Sequence, residues 1–354
     1  MSHSAWVRAT AVAAFSLCLG VVVLGAYVRL SDAGLGCPDW PGCYGHLTPA
    51  GAAADVRTTG APMAGRPLEI GKAWREMLHR YAAGTLGLLI VCLTAMGIAW
   101  RRERIVPAWF VLALLAIVLL QGALGMLTVT RLLQPLFVSL HLVFGFTTLS
   151  LLWWLVLSLR RTPRTAVGMT GAIHTRATTH AVAGARRLAA LGLVAISLQI
   201  ALGGWTSSNY AAMACPDLPT CQDRWWPQAD FRSAFMPWEQ ARANPLLNYD
   251  GGVLDNPARV AIHLSHRLGA LVASLALLAA AIAALRLGGG ASAAALGLLL
   301  LLALQLTIGV SMVLRGFPLW LATAHNAGAA LLLLATLALN RSLWPRSAPV
   351  TFTR

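Results

Sequence analysis

Two histidine–arginine pairs stand at the start of long apolar runs in this 354-residue chain. One pair occupies residues 79–80, and the other occupies residues 266–267, displaced by 187 positions. Two further apolar runs carry a lone histidine near their beginning, His141 and His325. Imidazole is a common metal ligand, and polar groups inside a membrane segment are costly enough to be functional candidates by default. The four histidines therefore predict metal binding rather than packing.

Apolar runs long enough to cross a bilayer dominate the composition. Hydrophobic residues make up 58% of the chain and charged residues 11%. About twenty apolar residues cross a bilayer, and a backbone in lipid must satisfy its own hydrogen bonds, so each run is predicted to be a helix. The predicted spans cover residues 9–30, 77–100, 107–130, 137–159, 188–206, 259–285, 293–314 and 319–340. The fold class is therefore an all-α polytopic membrane protein with eight transmembrane helices.

The net charge of +15 comes from arginines that follow a topology pattern. Arginine clusters lie after the second span, between the fourth and fifth spans, and after the eighth span. If the spans alternate in direction, all three clusters lie on the same side of the membrane. Loops rich in arginine stay in the cytoplasm. Both termini are therefore predicted to be cytoplasmic, and the long loops 31–75 and 207–258 to face outside. The charge reflects topology, and no nucleic-acid partner is expected.

The chain contains an internal duplication. The loop sequence CPDWPGC at 37–43 returns as CPDLPTC at 215–221. Four more residues return with a common displacement of 184 positions, because Gln121, Gly125, Arg131 and His141 reappear as Gln305, Gly309, Arg315 and His325. We expect two tandem four-helix bundles, 1–159 and 188–354, joined by a cytoplasmic linker at 160–187. An even number of spans per unit makes them parallel repeats related by a pseudo-twofold axis.

The histidine-bearing spans all begin at the outer face, so the four rings lie at similar depth. Neighbouring helices can then present opposing imidazoles at one level, which is a bis-histidine haem site. We expect one site per half, formed by His79 with His141 and by His266 with His325. His263 precedes His266 by three residues and shares roughly one helix face with it, so it is predicted to lie beside the site without being a ligand.

Arg80 and Arg267 directly follow two of the proposed ligands. A guanidinium binds a carboxylate through two parallel hydrogen bonds, so both arginines are candidates for binding haem propionates. The alternative is an arginine at a helix end that reaches toward lipid phosphate. Arg131 and Arg315 are weaker candidates for the same role.

Glu76 marks a difference between the halves, because its counterpart in the repeat is His263. It precedes His79 by three residues and therefore points to the same helix face. A carboxylate beside a metal site can stabilise developing positive charge or relay a proton. The alternative is an exposed glutamate at a helix start, where the helix dipole favours it. If one half is a reaction centre, Glu76 places that centre in the first half.

Four of the six cysteines form two C-x5-C pairs in the outer loops, Cys37 with Cys43 and Cys215 with Cys221. Disulfides persist outside the cytoplasm, and prolines in both loops favour a bend that brings each pair together. Two roles stay open, a structural disulfide and a redox-active pair that exchanges with an external thiol protein. A zinc site is disfavoured because C-x5-C is not a usual zinc spacing.

Taken together, these features resemble the haem A synthases of the aerobic respiratory chain. The resemblance extends from Leu24 to Asn340. It rests on the Glu-x-x-His-Arg of the second span, the His-Arg of the sixth, and the lone histidines of the fourth and eighth. That family oxidises the C8 methyl group of haem O to a formyl group through successive hydroxylations.

The resemblance implies a role for each proposed site residue. His79 and His141 would flank the substrate haem O, with Glu76 assisting the chemistry, while His266 and His325 would hold a permanent haem b. The protein would then be an oxidoreductase of the cell inner membrane, with the lipid bilayer as its surroundings. Haem O synthase and oxidase assembly factors are the partners that the resemblance suggests, and homo-oligomerisation is left open.

The resemblance also matches Cys37 and Cys43 to the family's outer-loop cysteine pair. Two other functions remain as alternatives. A dihaem b membrane electron-transfer cytochrome explains the four histidines but not Glu76. A thiol–quinone oxidoreductase would use the cysteine pairs and would leave the histidines without a role.

Overall fold

The computed structural model describes residues 2–59, 67–159, 176–236 and 247–344. Over these ranges the protein is helical and has no β-strand. The helices are α1 (His3–Leu30), α2 (Pro49–Thr59), α3 (Ile70–Ala99), α4 (Ala108–Thr130), α5 (Pro135–Leu159), α6 (Arg176–Ser208), α7 (Phe231–Ala234), α8 (Asn256–Leu285), α9 (Gly289–Leu314) and α10 (Leu319–Leu343).

Eight of these helices, all except α2 and α7, are long and apolar enough to cross a membrane. This finding confirms the predicted all-α membrane fold. Six of the eight helices begin earlier than the apolar runs; for example, α3 starts at Ile70 rather than at residue 77, and α6 starts at Arg176 rather than at residue 188. Hydropathy marks only the stretch inside the hydrocarbon, whereas helical hydrogen bonding continues into the polar interface. The short helices α2 and α7 lie in the two long loops.

Proline and glycine set several helix ends. α5 begins at Pro135, and Pro107 and Pro318 immediately precede α4 and α10. Proline suits these positions because its fixed φ is already helical and its missing N–H would have no helical partner there. Gly288 separates α8 from α9 with a φ of 71°, which glycine adopts without a steric penalty. The next two residues, Gly289 and Gly290, belong to α9.

The helices of each half pack mainly against one another. α1 contacts α3 and α5, and α4 contacts the same two helices. In the second half α8 contacts α6 and α9, and α10 also contacts those two. The halves meet where α1 packs against α10 and where α5 packs against α6 and α10. These neighbours are compatible with two four-helix units, whose pseudo-twofold relationship stays a prediction.

The tightest apolar packing lies toward the end of the bundle that holds the N-terminus. Its fully buried members include Ala11 of α1, Ile90 of α3, Leu152 of α5, Leu277 of α8 and Leu339 of α10. Nearer the opposite end, around His141 and His325, the residues at 136–145 and 322–327 are half-buried or exposed. The histidines therefore lie outside the close-packed part of the apolar core.

The loops after α1 and after α6 close the histidine end of the bundle. Alternation of the eight spans places both loops at the same end. The backbone N–H of Tyr249 in the second loop donates to the carbonyl of Leu132 in the first half, at 3.0 Å. Arg29, at the end of α1, donates to the carbonyl of Ser207 on α6 at 2.9 Å. The two cysteine loops thus share one face, and the compartment that this face meets stays a prediction.

Candidate functional site

The first histidine pair lies between α3 and α5. The ring centroids of His79 and His141 are 6.5 Å apart, with an angle of 83° between the ring planes. Nδ1 of each ring is buried and has no hydrogen-bond partner among the described residues. The structure therefore brings together the two histidines that the sequence paired.

The second pair has closely similar geometry on α8 and α10. The ring centroids of His266 and His325 are also 6.5 Å apart, with 73° between the planes. His263 is buried and lies beside Phe317 instead, at a ring separation of 6.2 Å. Of the two candidate histidines on α8, His266 is the one that faces His325.

A glycine from a neighbouring helix faces each of the four rings. These glycines are Gly25 of α1, Gly125 of α4, Gly203 of α6 and Gly309 of α9. A Cβ added to Gly25 would lie 2.8 Å from Cε1 of His79, and one added to Gly309 would lie 3.0 Å from Cε1 of His325. A side chain at Gly25 would displace the ring of His79, and one at Gly309 would press against the ring of His325, so the missing Cβ of glycine makes room for these rings.

Both ring pairs fit a single metal held between two imidazoles. Two metal–nitrogen bonds of about 2 Å require ring nitrogens about 4 Å apart. A centroid separation of 6.5 Å allows that spacing if the two rings turn their nitrogens toward each other. Histidine is also an axial ligand of haem iron. The unpartnered Nδ1 atoms of the first pair and the facing glycines of both pairs therefore suit axial ligation of haem.

Glu76 is buried beneath the first cysteine loop, with only 4% of its surface exposed. The alternative of an exposed glutamate at a helix start is therefore wrong. Its Oε2 accepts a hydrogen bond from the backbone N–H of Cys37 at 2.8 Å, and its Oε1 accepts from Nη2 of Arg80 at 2.5 Å. A buried carboxylate needs such partners to offset the loss of water. The carboxylate lies one turn from His79 on the same helix.

Arg80 fastens the first cysteine loop to α3. Its Nη1 donates to the backbone carbonyls of Asp39 at 2.8 Å, Pro41 at 3.2 Å and Gly42. All three carbonyls lie inside the loop 37–43. The propionate-binding role expected of this arginine stays a prediction, because the described donors are directed to the loop and to the glutamate.

Arg267 does the same for the second cysteine loop. Its Nη1 donates to the carbonyl of Thr220 at 2.7 Å, and its Nη2 donates to the carbonyls of Cys215 at 3.0 Å and Asp217 at 2.7 Å. Nε of Arg267 is buried and has no partner among the described residues. This free donor is compatible with the predicted contact to a carboxylate.

Both cysteine pairs form disulfides, Cys37 with Cys43 and Cys215 with Cys221. In the second loop the carboxylate of Asp217 accepts from the hydroxyl of Thr220 at 2.5 Å and from the backbone N–H of Gln222 at 2.6 Å. These hydrogen bonds stabilise the charged form and hold the pKa of Asp217 below its ordinary value. Exchange of either disulfide with an external thiol protein stays a prediction.

Three glutamines bind the backbone of the histidine-bearing helices. Nε2 donates to the histidine carbonyl in the pairs Gln121–His141, Gln199–His266 and Gln305–His325, at 3.0, 2.9 and 3.0 Å. Comparison of the repeats finds the first and third glutamines. It misses Gln199, because Val21 is the residue at the corresponding place in the first half.

Two other features escaped prediction from sequence. The loop carbonyls that bind Arg80 and Arg267 have no residue signature, because any residue supplies a carbonyl. In the loop after α1, Nε2 of His46 lies 2.7 Å from Oδ2 of Asp55, nine positions further along the chain. A polar pair with that spacing has no sequence pattern by which to recognise it.

Fold and site together define the class of protein, a multi-pass helical membrane protein with facing histidine pairs inside its bundle. Residues 8–337 match the family described as cytochrome oxidase assembly protein. The chain belongs to this family.

Individual relatives carry a more specific name. The haem A synthase of Shewanella oneidensis is 42% identical over 331 residues, which covers 93% of this chain and 94% of the relative. The haem A synthases of Rhizorhabdus wittichii and Sphingopyxis alaskensis are each 28% identical over 353 residues, covering 94% and 93% of this chain and 91% and 89% of their own length. The resemblance drawn from the sequence motifs is thereby confirmed.

Proposed function

We propose that the protein is a haem A synthase, a membrane oxidoreductase that oxidises the C8 methyl group of haem O to a formyl group by successive hydroxylations. The family match and the names of the relatives support this activity. One structural observation carries the assignment of roles to the halves. A buried carboxylate, Glu76, accompanies His79, whereas a histidine, His263, takes its place beside His266.

In this proposal the first unit, 1–159, receives the substrate. His79 and His141 hold haem O from its two faces, and the facing glycines leave room for both rings. Glu76 is the catalytic residue, kept near His79 by the Cys37 N–H and by Arg80. A carboxylate fixed there stabilises developing positive charge or accepts a proton from the substrate.

The second unit, 188–354, holds haem b between His266 and His325 and is joined to the first by the linker 160–187. His266 and His325 would supply two imidazoles to the haem iron, a ligand set that would suit electron transfer rather than oxygen activation. Bound haem supplies the redox chemistry, and the protein supplies position and electrostatic environment. Arg267 is proposed to meet a propionate through its Nε, which is buried and unpartnered among the described residues. Arg80 is proposed to bind a propionate in the first unit.

The proposal places the protein in the cell inner membrane with both termini in the cytoplasm. Arginine clusters on one side of the alternating spans support that orientation. The disulfides at the opposite end support an oxidising outer compartment. Haem O synthase, which would supply the substrate, and oxidase assembly factors, which would receive the product, are the proposed partners.

Expression in a host that makes no haem A tests the function. The protein is produced with and without a haem O synthase, and extracted haems are identified by liquid chromatography and mass spectrometry. Haem A is expected only when haem O is supplied. Two retained b haems without any haem A would overturn the proposal and favour a dihaem electron-transfer cytochrome.

A further inference from the structure

Three of the four histidine-bearing helices are held by an amide clasp, the hydrogen bond from a glutamine Nε2 to the histidine carbonyl described above. Each glutamine precedes by four residues the glycine that faces the same ring, as in the pairs Gln121–Gly125, Gln199–Gly203 and Gln305–Gly309. Residues four apart lie on one helix face. The glycine therefore admits the ring, and the glutamine one turn away holds the backbone that carries it.

The clasp adds to the helical ladder without replacing any part of it. A carbonyl oxygen has two lone pairs, so the histidine carbonyl can accept both its helical N–H and the glutamine amide. Oε1 of all three glutamines, Gln121, Gln199 and Gln305, is buried without a hydrogen-bond partner among the described residues. Burial of an unpaired amide oxygen costs free energy. Nε2 of each glutamine bonds to the histidine carbonyl, and in Gln199 and Gln305 it also lies 3.0 and 3.3 Å from Nδ1 of the ring.

The fourth histidine lacks the clasp. Val21 of α1 stands four residues before Gly25 and carries no donor. On the facing helix, α3 has Ala82 where α8 has Gly269, the residue that lies against the Gln199 amide. The first site thus lacks both the glutamine and the glycine that lies against its amide. His79 is the histidine whose helix has no amide bond of this kind to its neighbour.

The charged residues of α3 near His79 contact a loop. Glu76 and Arg80 tie this helix to the cysteine loop 37–43 rather than to α1. The seam between α1 and α3 at the level of His79 has no glutamine clasp; the His79 ring lies against Gly25, and the backbone of Val21 interacts with the same ring. Among the described residues, α1 and α3 are the one pair of helices with a glycine facing a histidine ring that has no glutamine clasp.

We infer that the α1–α3 seam is the side on which the first site exchanges its haem, with His79 the releasing ligand and His141, which is clasped, the fixed one. This inference rests on the proposed function, because only a substrate site needs to exchange its occupant. A substrate with an apolar tail would reach such a seam from the bilayer, between α1 and α3.

Moving the clasp tests the inference. The variant Val21→Gln/Ala82→Gly introduces into the first site the glutamine and the glycine that the other clasps have. Val21→Met/Ala82→Gly is its matched control, because methionine is similar in size to glutamine but has no amide donor. In a separate arm, Gln199→Met removes the clasp of His266. Each protein is purified with haem b bound at both sites, and transfer of haem to excess apomyoglobin is followed by absorbance. His79→Ala identifies the phase that belongs to the first site.

The expected result is a fast phase from the first site and a slow phase from the second. The installed clasp should slow the fast phase by about three- to fivefold, which corresponds to about 0.6–1 kcal/mol for one hydrogen bond between helices in a membrane. The methionine control should leave that phase unchanged, and Gln199→Met should accelerate the slow phase by a similar factor.

An unchanged fast phase in a correctly folded Val21→Gln/Ala82→Gly protein would overturn the inference, as would a faster release from the second site. If that variant does not fold, an unaltered slow phase in Gln199→Met would overturn it by itself. The transfer of haem to apomyoglobin is measured without any conversion of haem O to haem A. A chain that shows the expected phases but makes no haem A would therefore refute the proposed function and leave the release asymmetry standing.

Discussion

Arg80 and Glu76 form an ion pair one turn apart on α3, with 2.5 Å between Nη2 and Oε1 and side chains that are only 12% and 6% exposed. The same guanidinium binds three carbonyls of the loop 37–43, and the same carboxylate accepts the backbone N–H of Cys37. The proposed catalytic group, its cation and the disulfide loop are thus one connected unit. Removal of one partner from a buried ion pair is strongly destabilising, so a change in one member should affect the others.

Substitution of Glu76 by glutamine should lower haem A formation by about 100-fold or more, the loss expected when an acid–base group is removed. Glutamine keeps the size of the side chain and can still accept the Cys37 N–H, but it carries no charge and takes up no proton. The measurement is haem extraction from cells that supply haem O. Glu69→Gln is the control, because Glu69 is an exposed residue at the start of the same helix, paired with Lys72 at 3.0 Å. Normal conversion by Glu76→Gln would remove the catalytic assignment.

Replacement of Arg80 by lysine should lower the free energy of unfolding by about 1.5–3 kcal/mol, the range for hydrogen bonds to a charged group. A lysine ammonium cannot span three loop carbonyls and a carboxylate together, as the planar guanidinium does. Thermal unfolding in detergent measures the change. Arg75→Lys is the matched control on α3, since among the described residues Arg75 bonds only to the carbonyl of Gly71 one turn away, at 3.1 Å. Equal stability of the two variants would contradict the proposed clamp.

Loss of the first disulfide should affect catalysis more than loss of the second. The double variants Cys37→Ser/Cys43→Ser and Cys215→Ser/Cys221→Ser should each lose about 2 kcal/mol of stability, since both loops are short and of equal length. Only the first loop donates an N–H to Glu76. Haem A yield, measured at a temperature where both variants stay folded, should therefore fall further in the first. A larger loss of haem A yield in Cys215→Ser/Cys221→Ser would show that the first disulfide loop does not support Glu76.

The two histidines of α8 should behave differently when replaced. His266→Ala should abolish the low-spin spectrum of the second haem, because this ring faces His325 at 6.5 Å. His263→Phe should retain that spectrum, since His263 lies against Phe317 and away from the ring pair. Absorbance spectra and haem content of the purified proteins provide the measurement. The reverse result would make His263 the ligand.

A methyl group at Gly25 should disturb the first haem site. In Gly25→Ala the new Cβ would lie 2.8 Å from Cε1 of His79, so the ring must move. We expect loss of haem from the first site, measured as haem content per protein. Gly20→Ala is the control, because a Cβ on that glycine of the same helix meets nothing within 4 Å. It should be neutral or stabilise the helix by up to about 1 kcal/mol. Full haem content in Gly25→Ala would show that the ring does not need the glycine.

The sequence by itself determined the eight spans, the histidine pairs and the family. Each of these rests on information carried by local pattern or by the repeat. A run of apolar residues must be helical in lipid whatever its neighbours are, and repeated spacing placed His141 and His325 at matching depths. The glycines at 125 and 309 were visible as repeated positions, although not as the residues that face the rings.

Only the tertiary structure decided how Glu76, Arg80 and Val21 are used. The sequence left Glu76 open between a buried and an exposed position, and the folding of the loop 37–43 over α3 buries it. Arg80 bonds to backbone carbonyls, which every residue has, so no pattern of side chains could point to them. The absence of an amide at Val21 has meaning only when the clasps in the other three helix pairs are seen. Such contacts join residues far apart in the chain, and their partners are set by packing rather than by residue type.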